Sequence, residues 1–287
     1  MGYRPDKLRL SHFYRYIERV FSFQHYVSTL NDSRLAGWVK TESCFEALFL
    51  CLLLRLGSFR GLEFELKQRQ AKKVMKHHHD FSINTLRYGL TCFEIEPLDE
   101  FLVATRMQMK RGKMLADTIG GFHVAAMDGT EYYRSEAICC KDCMKIHHKE
   151  GPVHYVHRAL LLQHVGARLK PFLAAEPILP KDKTAADAEP GHEGELTAGK
   201  RLLTRAVGRF GKRFIDGLTC DALYMNAPFV RHCESHRIEL VARVKDERTP
   251  LYQEIETLSG QVESQQGYDR NTGVVYQIHE IADLHIS

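Results

Sequence analysis

The sequence of 287 residues predicts an α/β fold preceded by a helical region. Apolar residues make up 44% of the chain and charged residues 26%, as is typical of a globular protein. In the first 120 positions the apolar residues recur at intervals of three and four, the spacing of amphipathic helices. From residue 121 onward, three apolar runs are followed by a helix, a strand, a helix and a strand. This order predicts a sheet with a leading antiparallel hairpin and a parallel remainder.

The helical region contains four stretches with a helical pattern. Ser43 and Glu46 have the spacing of a capping box at the start of the first helix, and Gly57 follows its end. Pro97 stands in the first turn of the last helix, where a missing N–H costs nothing. The predicted helices span residues 43–56, 59–75, 82–93 and 97–116.

The second part of the chain alternates between strands and helices. Its apolar runs are short and are separated by turn residues, such as those at 166–168, or by the polar loop 181–194. We predict strands at residues 122–127, 154–165, 169–175, 214–220 and 238–244, and helices at 195–210 and 226–236.

Two aspartates come directly after predicted strands. Asp128 follows the first strand and Asp221 follows the fourth, and the carboxyl ends of strands in an open α/β sheet are where ligands gather. Two such carboxylates repel each other unless a divalent cation such as Mg²⁺ bridges them. Alternatively, each aspartate caps the turn that follows it. Glu195 opens a predicted helix and is interpreted as structural, because an acid is favourable at a helix N-terminus.

Two segments resemble the DDE transposases of bacterial insertion sequences. They are VAAMDGTEYYRS (124–135) and TCDALYMNAPFV (219–230), and SINTLRYGL (82–90) is similar to the N-terminal region of the same family. The family has an RNase H-like catalytic domain with one acid in a D-G-T-like context and a second in a D-A-x-Y context. The resemblance covers roughly residues 20–245 and implies that Asp128 and Asp221 are catalytic ligands of Mg²⁺ (or Mn²⁺). It implies cleavage of DNA at transposon ends, followed by strand transfer to a target.

The resemblance also implies a division into three parts. These are a helical N-terminal domain at 1–120 that binds DNA ends, an RNase H-like core at 121–246, and the start of a β-rich insertion at 247–287. The third acid of the family is a Glu in the pattern Tyr-x2-Arg-x3-Glu-x6-Lys, which this sequence lacks. We therefore expect a truncated transposase reading frame.

Three alternatives stay open. Glu254 or Glu256, on a predicted helix at 249–259, could complete the site. The chain could instead be a non-catalytic DNA-binding remnant, or a metal-dependent nuclease without strand transfer.

The distribution of charge favours a polyanionic partner for the N-terminal region. Residues 1–120 carry 19 Lys and Arg against 13 Asp and Glu, whereas residues 121–287 carry 21 against 23. Double-stranded DNA is the expected partner, and chemistry on paired ends implies a possible homodimer. The candidate phosphate contacts are Arg60, Arg69, Lys72, Lys73, Lys76, the histidines at 77–79, Arg106, Lys110, Arg111 and Lys113.

The eight cysteines are thinly spread, and they are expected to be reduced thiols of a cytosolic protein. The longest apolar run, residues 47–54, is too short to cross a membrane, and no secretory signal is visible. We expect a cytoplasmic protein that associates with the nucleoid when it binds DNA.

Cysteines and histidines are dense between positions 139 and 157. Cys140 and Cys143 have the spacing of zinc ligands, and an offset of three along a strand turns His154 and His157 to opposite faces. We interpret the region as reduced thiols and solvated histidines, with a zinc site as the alternative. The other residues of that alternative are Cys139, His147 and His148.

Overall fold

The structure is a computed structural model that describes residues 6–34, 37–115, 119–148, 151–166, 168–180, 193–244 and 250–281. It is a mixed α/β protein with ten α-helices and a mixed sheet in these ranges. Its internal contacts divide the chain into two compact units, Met1–Met114 and Leu115–Ser287. The predicted domain boundary at residue 246 lies outside the described residues, as does most of the predicted loop 181–194.

The elements described in the first unit are helices. Ser58 and Ser82 cap two of them, because each hydroxyl accepts a hydrogen bond from the backbone N–H three residues later. The single helix predicted at 59–75 is in fact two helices, because the backbone at Gln68 is extended. The helices are α1 Asp6–Phe21, α2 Phe23–Val27, α3 Thr41–Leu53, α4 Phe59–Leu66, α5 Arg69–Val74, α6 Ile83–Thr91 and α7 Glu96–Arg111.

Glu46 lies in the interior of the first unit rather than in a capping box. Helix α3 begins at Thr41, so Ser43 is not its N-cap and that prediction was wrong. The buried carboxylate of Glu46 accepts hydrogen bonds from Gln24 Nε2 at 2.6 Å and from the backbone N–H of His77 at 3.0 Å. A buried charge needs such partners. The two hydrogen bonds connect α2 and the segment that follows α5 to α3.

A six-stranded mixed sheet forms the centre of the second unit. The strand order is β2–β3–β1–β5–β6, and β4 also pairs with β3. Strand β1 is antiparallel to β3, whereas β1, β5 and β6 are parallel to one another. A separate antiparallel hairpin is formed by β7 and β8. The strands are β1 Val124–Ser135, β2 Met144–Ile146, β3 His154–Val165, β4 Phe172–Pro177, β5 Gly217–Cys220, β6 Glu239–Ala242, β7 Ser264–Tyr268 and β8 Val275–His279.

In its described residues the second unit has three α-helices: α8 Glu195–Phe210, α9 Ala227–Ser235 and α10 Pro250–Ser259. Helix α8 buries Leu202 in a core that also contains Met127 and Leu160 of the sheet. At Gly199 the approach is close, because a Cβ atom there would lie 3.2 Å from Tyr224 and 3.3 Å from Met127. The first turns of α8 are thus packed tightly beside β1.

An ion-pair network also holds α8 to β4. Arg201 of α8 donates to Glu176 of β4 at 2.5 Å and to Glu193 at 2.8 and 2.9 Å. Glu176 is buried, so the guanidinium compensates the cost of removing this carboxylate from water. None of the helices in the described ranges is long and apolar enough to cross a membrane.

Candidate carboxylate site and nucleic-acid interface

Asp128 and Asp221 lie at the same level on neighbouring strands. The parallel ladder between β1 and β5 pairs Ala125 with Leu218 and Ala126 with Thr219. The paired residues end there, and the same register continued for two more residues would set Asp128 opposite Asp221. Neighbouring strands are about 4.8 Å apart, and both aspartates are exposed. Both predicted site residues thus lie at one edge, the carboxyl end of the β1–β5 pair.

This edge is present because β5 ends at Cys220, whereas β1 continues to Ser135. The sequence predicted that the first strand ends at residue 127, which is wrong, since β1 runs through Asp128 to Ser135. Strand β3 pairs with β1 over this whole length, from Val165 opposite Val124 to Tyr155 opposite Ser135. This pairing sustains the strand past the aspartate, which lies opposite Leu161.

Each aspartate uses one carboxylate oxygen in a local hydrogen bond. Asp128 Oδ1 accepts from the backbone N–H of Gly129 at 2.9 Å, and Asp221 Oδ1 accepts from that of Leu223 at 3.0 Å. The second bond caps a 3₁₀ turn, Ala222–Tyr224. These bonds orient both carboxylates, and no group in the described part of the chain donates to either Oδ2 atom. The turn-capping role predicted as an alternative is confirmed for Asp221 and is wrong for Asp128, because β1 continues through Gly129.

A third carboxylate, that of Glu195, reaches the same edge. It is the first residue of α8, and its side chain lies against the α-carbon of Gly129, next to Asp128. A Cβ atom at position 129 would be 2.9 Å from Glu195 Oε1 and 3.1 Å from Cδ. From the sequence alone, Glu195 was interpreted only as an acid that interacts favourably with the helix dipole. The glycine directly after Asp128 was the signal that another side chain could approach the strand at that position.

Tyr224 connects Glu195 with the end of β5. Its hydroxyl lies 3.5 Å from Glu195 Oε2, the long limit of a hydrogen bond, and its ring is buried. Burial, followed by the negative charge of Glu195, raises the pKa of Tyr224 well above its usual range, and Cys220 and Asp221 add to the shift. The phenol therefore stays protonated and can donate to the carboxylate.

Glu254 and Glu256 lie on α10, where a helix was predicted. Both side chains are exposed. The hypothesis that one of them completes the site stays a prediction, and Glu195 is the competing candidate.

A basic groove lies in the first unit between α1 and the end of α5. Its volume is about 430 Å³, and Lys73 and Lys76 line it, as do two arginines of α1, Arg15 and Arg19. These arginines were not among the predicted phosphate contacts, because the helix that carries them was not predicted. Eight of the predicted lysine and arginine side chains are exposed, namely Arg60, Arg69, Lys72, Lys73, Lys76, Lys110, Arg111 and Lys113.

Arg106 is not available as a phosphate contact. Its side chain is 3% exposed, and burial lowers the pKa of its guanidinium. The prediction failed because helical spacing groups basic residues on a face without showing whether that face is packed. His77 and His78 also have partners inside the first unit, the carboxylate of Glu46 and the carbonyl oxygen of Leu66 respectively.

The chain matches no protein-family model and no curated protein. The geometry of its own residues is therefore the basis for a functional proposal.

Two cysteines and a histidine converge at the far end of the β1–β3 pair. Cys140 Sγ and Cys143 Sγ each lie 3.2 Å from His157 Nε2, and the two sulfur atoms are 3.6 Å apart. His154 is turned away from them, with Nδ1 2.8 Å from His148 Nε2 and Nε2 3.1 Å from Glu136. Of the histidines that the sequence offered, His157 is the one that faces both thiols.

Proposed function

We propose that this protein is a DDE-type transposase that cleaves DNA at the ends of an insertion sequence and transfers the freed strand to a target. The observation that carries the proposal is that Asp128 and Asp221 both lie at the carboxyl end of the parallel β1–β5 pair, with the Glu195 carboxylate against Gly129. Carboxylate oxygens are the ligands that Mg²⁺ and Mn²⁺ prefer. The donor set at this edge therefore fits a divalent cation.

The topology of the second unit supports the proposal at the level of the fold. Its strand order, with an antiparallel pair at one side of β1 and parallel β5 and β6 at the other, is the order expected of an RNase H-like core. In open α/β sheets, ligands bind at the carboxyl ends of the strands, next to the strand at which the strand order reverses. Asp128 lies on that central strand.

Each acidic residue has a distinct role in the proposed site. Asp128 and Asp221 hold the cation, each through the oxygen that its local hydrogen bond leaves available. Glu195 supplies a third carboxylate at this edge. Tyr224 and Gly129 are positioning residues, since one can donate to Glu195 and the other leaves room for it. The bound Mg²⁺ would activate the attacking oxygen and stabilise charge on the leaving oxygen.

The basic groove is the proposed DNA contact of the first unit. Arg15, Arg19, Lys73 and Lys76 present four positive charges on one concave surface, against the single carboxylate of Glu18. Phosphate contacts of this kind supply affinity that does not depend on sequence and that falls with salt. They would hold the duplex, while the carboxylates carry out the cleavage.

The proposal is tested by incubating the full chain with supercoiled plasmid in Mg²⁺ or Mn²⁺ and following nicked and linear products. Wild type is expected to cut only with the cation. Asp128→Asn and Asp221→Asn are expected to cut at least about 10³-fold more slowly, because a catalytic metal contributes several kcal/mol. Both variants should bind DNA as wild type does. DNA binding without cation-dependent cutting would instead indicate a non-catalytic DNA-binding protein.

A further inference from the structure

Independently of the carboxylate site, we propose that Cys140, Cys143 and His157 bind one zinc ion that ties the loop between β1 and β2 to β3. The three ligand atoms come from two segments, a Cys-x2-Cys turn in the loop and the middle of a paired strand. They converge although 14 residues separate Cys143 from His157. Thiolate and imidazole are the ligands of structural zinc sites, and this pairing favours zinc over Mg²⁺ or Ca²⁺.

The triangle of ligand atoms has nearly the size that zinc requires. With Zn–S bonds of about 2.3 Å and a Zn–N bond of about 2.05 Å, a tetrahedral ion sets its sulfur atoms about 3.8 Å apart and each sulfur about 3.6 Å from the nitrogen. The structure has 3.6 Å for the first distance and 3.2 Å for the other two. An outward shift of a few tenths of an ångström would admit the ion.

Hydrogen bonding alone does not explain the arrangement. His157 Nε2 has one lone pair when it is unprotonated, so it can accept from only one of the two thiols at a time. Both sulfur atoms nevertheless lie at the same distance from it. A cation at the centre of the triangle satisfies all three donors at once.

The surroundings hold the ligands in place. The backbone N–H of Cys140 donates to Cys143 Sγ at 3.2 Å, a contact that favours the thiolate. The His157 ring lies between Tyr132 and Tyr133, with ring centroids 5.7 and 5.5 Å away. On binding, two S–H bonds break and their protons pass to solvent, and the sulfur and nitrogen lone pairs coordinate the ion. Water completes the tetrahedron, or the adjacent Cys139 does so as a thiolate after its own proton has also passed to solvent.

The site would stabilise the outer end of the β1–β3 pair. Directly after Cys143, strand β2 pairs with residues 154–156 of β3, and Met144 and Val156 are buried in the core. Strand β2 has three residues, which is too few to hold the preceding loop by pairing alone. A zinc ion with ligands both from the loop before β2 and from β3 would fix this loop.

The test is elemental analysis of the full chain purified without chelator, followed by Co²⁺ substitution. One zinc per chain is expected, and the Co²⁺ form should show sulfur-to-cobalt charge transfer and tetrahedral d–d bands. Cys143→Ser and His157→Asn should lose the zinc, whereas Cys92→Ser in the first unit should keep it. Cys139→Ser assigns the fourth ligand, since loss of one thiolate from the charge-transfer band indicates Cys139 and an unchanged band indicates water.

Two results would overturn the proposal. One is a wild-type protein that holds no stoichiometric zinc and gives no thiolate bands with Co²⁺, a measurement that does not depend on any variant folding. The other is a Cys143→Ser protein that keeps its zinc. Neither result bears on cation-dependent DNA cleavage, so the two proposals fail separately.

Discussion

The carboxylate of Glu195 occupies the space that a side chain at Gly129 would need. A Cβ atom at position 129 would lie 2.9 Å from Glu195 Oε1, closer than real Cβ atoms approach an oxygen. The glycine that follows Asp128 thereby lets an acid from α8 reach the edge where Asp128 and Asp221 lie. This position makes Glu195 the third acid of the proposed site.

Replacing Glu195 by Gln should abolish cation-dependent DNA cleavage, whereas Glu254→Gln and Glu256→Gln should have no effect. The substitution keeps the shape of the side chain and removes the charge that a divalent cation needs, so we expect a loss of about 10²-fold or more. Initial rates of plasmid nicking measure it. The opposite pattern, with Glu195→Gln active and one α10 variant inactive, would show that α10 completes the site.

Gly129→Ala should slow cleavage by up to about 10²-fold while leaving the protein folded, because a catalytic group misplaced by about 1 Å has that effect. The new methyl group displaces only the end of a flexible side chain. Gly208→Ala, on the same helix as Glu195 and with open space around it, is the matched control. It should keep full activity and gain about 0.5–1 kcal/mol of stability. Equal activity of the Gly129→Ala and Gly208→Ala variants would show that Glu195 is not part of the site.

Charge reversal in the basic groove should weaken DNA binding without changing sequence preference. For Lys73→Glu and Lys76→Glu we expect a lower affinity and a slope of log K against log salt that is smaller by about one for each phosphate that the variant no longer binds. Fluorescence anisotropy with a labelled duplex at several salt concentrations measures both quantities. Lys212→Glu, an exposed residue of the second unit, controls for net charge. An equal decrease of affinity in all three variants would show that the groove does not bind the DNA.

The stability of the first unit should depend on pH through Asp32. A hydrogen bond from Arg34, together with one from Thr41, holds the pKa of Asp32 at about 2, against 3.8 in an unfolded chain. Because the folded pKa is the lower one, this stabilisation of about 2 kcal/mol is complete above pH 4 and is lost as the pH falls toward 2. Urea unfolding at pH 5 and pH 3 should show a smaller difference for Asp32→Asn than for wild type. An undiminished difference would place the acid sensitivity elsewhere.

The elements that the sequence predicted best are those with a strong local period. Strand β3 and helix α8 have the predicted bounds, because alternation over twelve residues and helical spacing over sixteen are visible without any partner. The end of β1 was not predictable in this way, since its last eight residues are held by pairing with β3. Pattern alone also could not show that α4 and α5 are separate helices.

In the candidate sites, too, the contacts between residues distant in the sequence were the ones that the sequence did not predict. Asp128 and Asp221 were found because each has a recognisable local context, and the approach of Glu195 to this edge was missed because 66 residues separate it from Gly129. His157 was set aside for a similar reason. Alternation along β3 shows that His154 and His157 point to opposite faces of the sheet. It does not show which of these faces is covered by the loop that carries Cys140 and Cys143.

Mn²⁺ binding followed by electron paramagnetic resonance measures whether Asp128 and Asp221 together hold a divalent cation. The free Mn²⁺ signal should decrease saturably as wild-type protein is added. It should stay nearly unchanged with the Asp128→Asn, Asp221→Asn double variant, whose fold is checked by circular dichroism. Equal Mn²⁺ binding by a folded double variant would show that these two aspartates do not hold the cation.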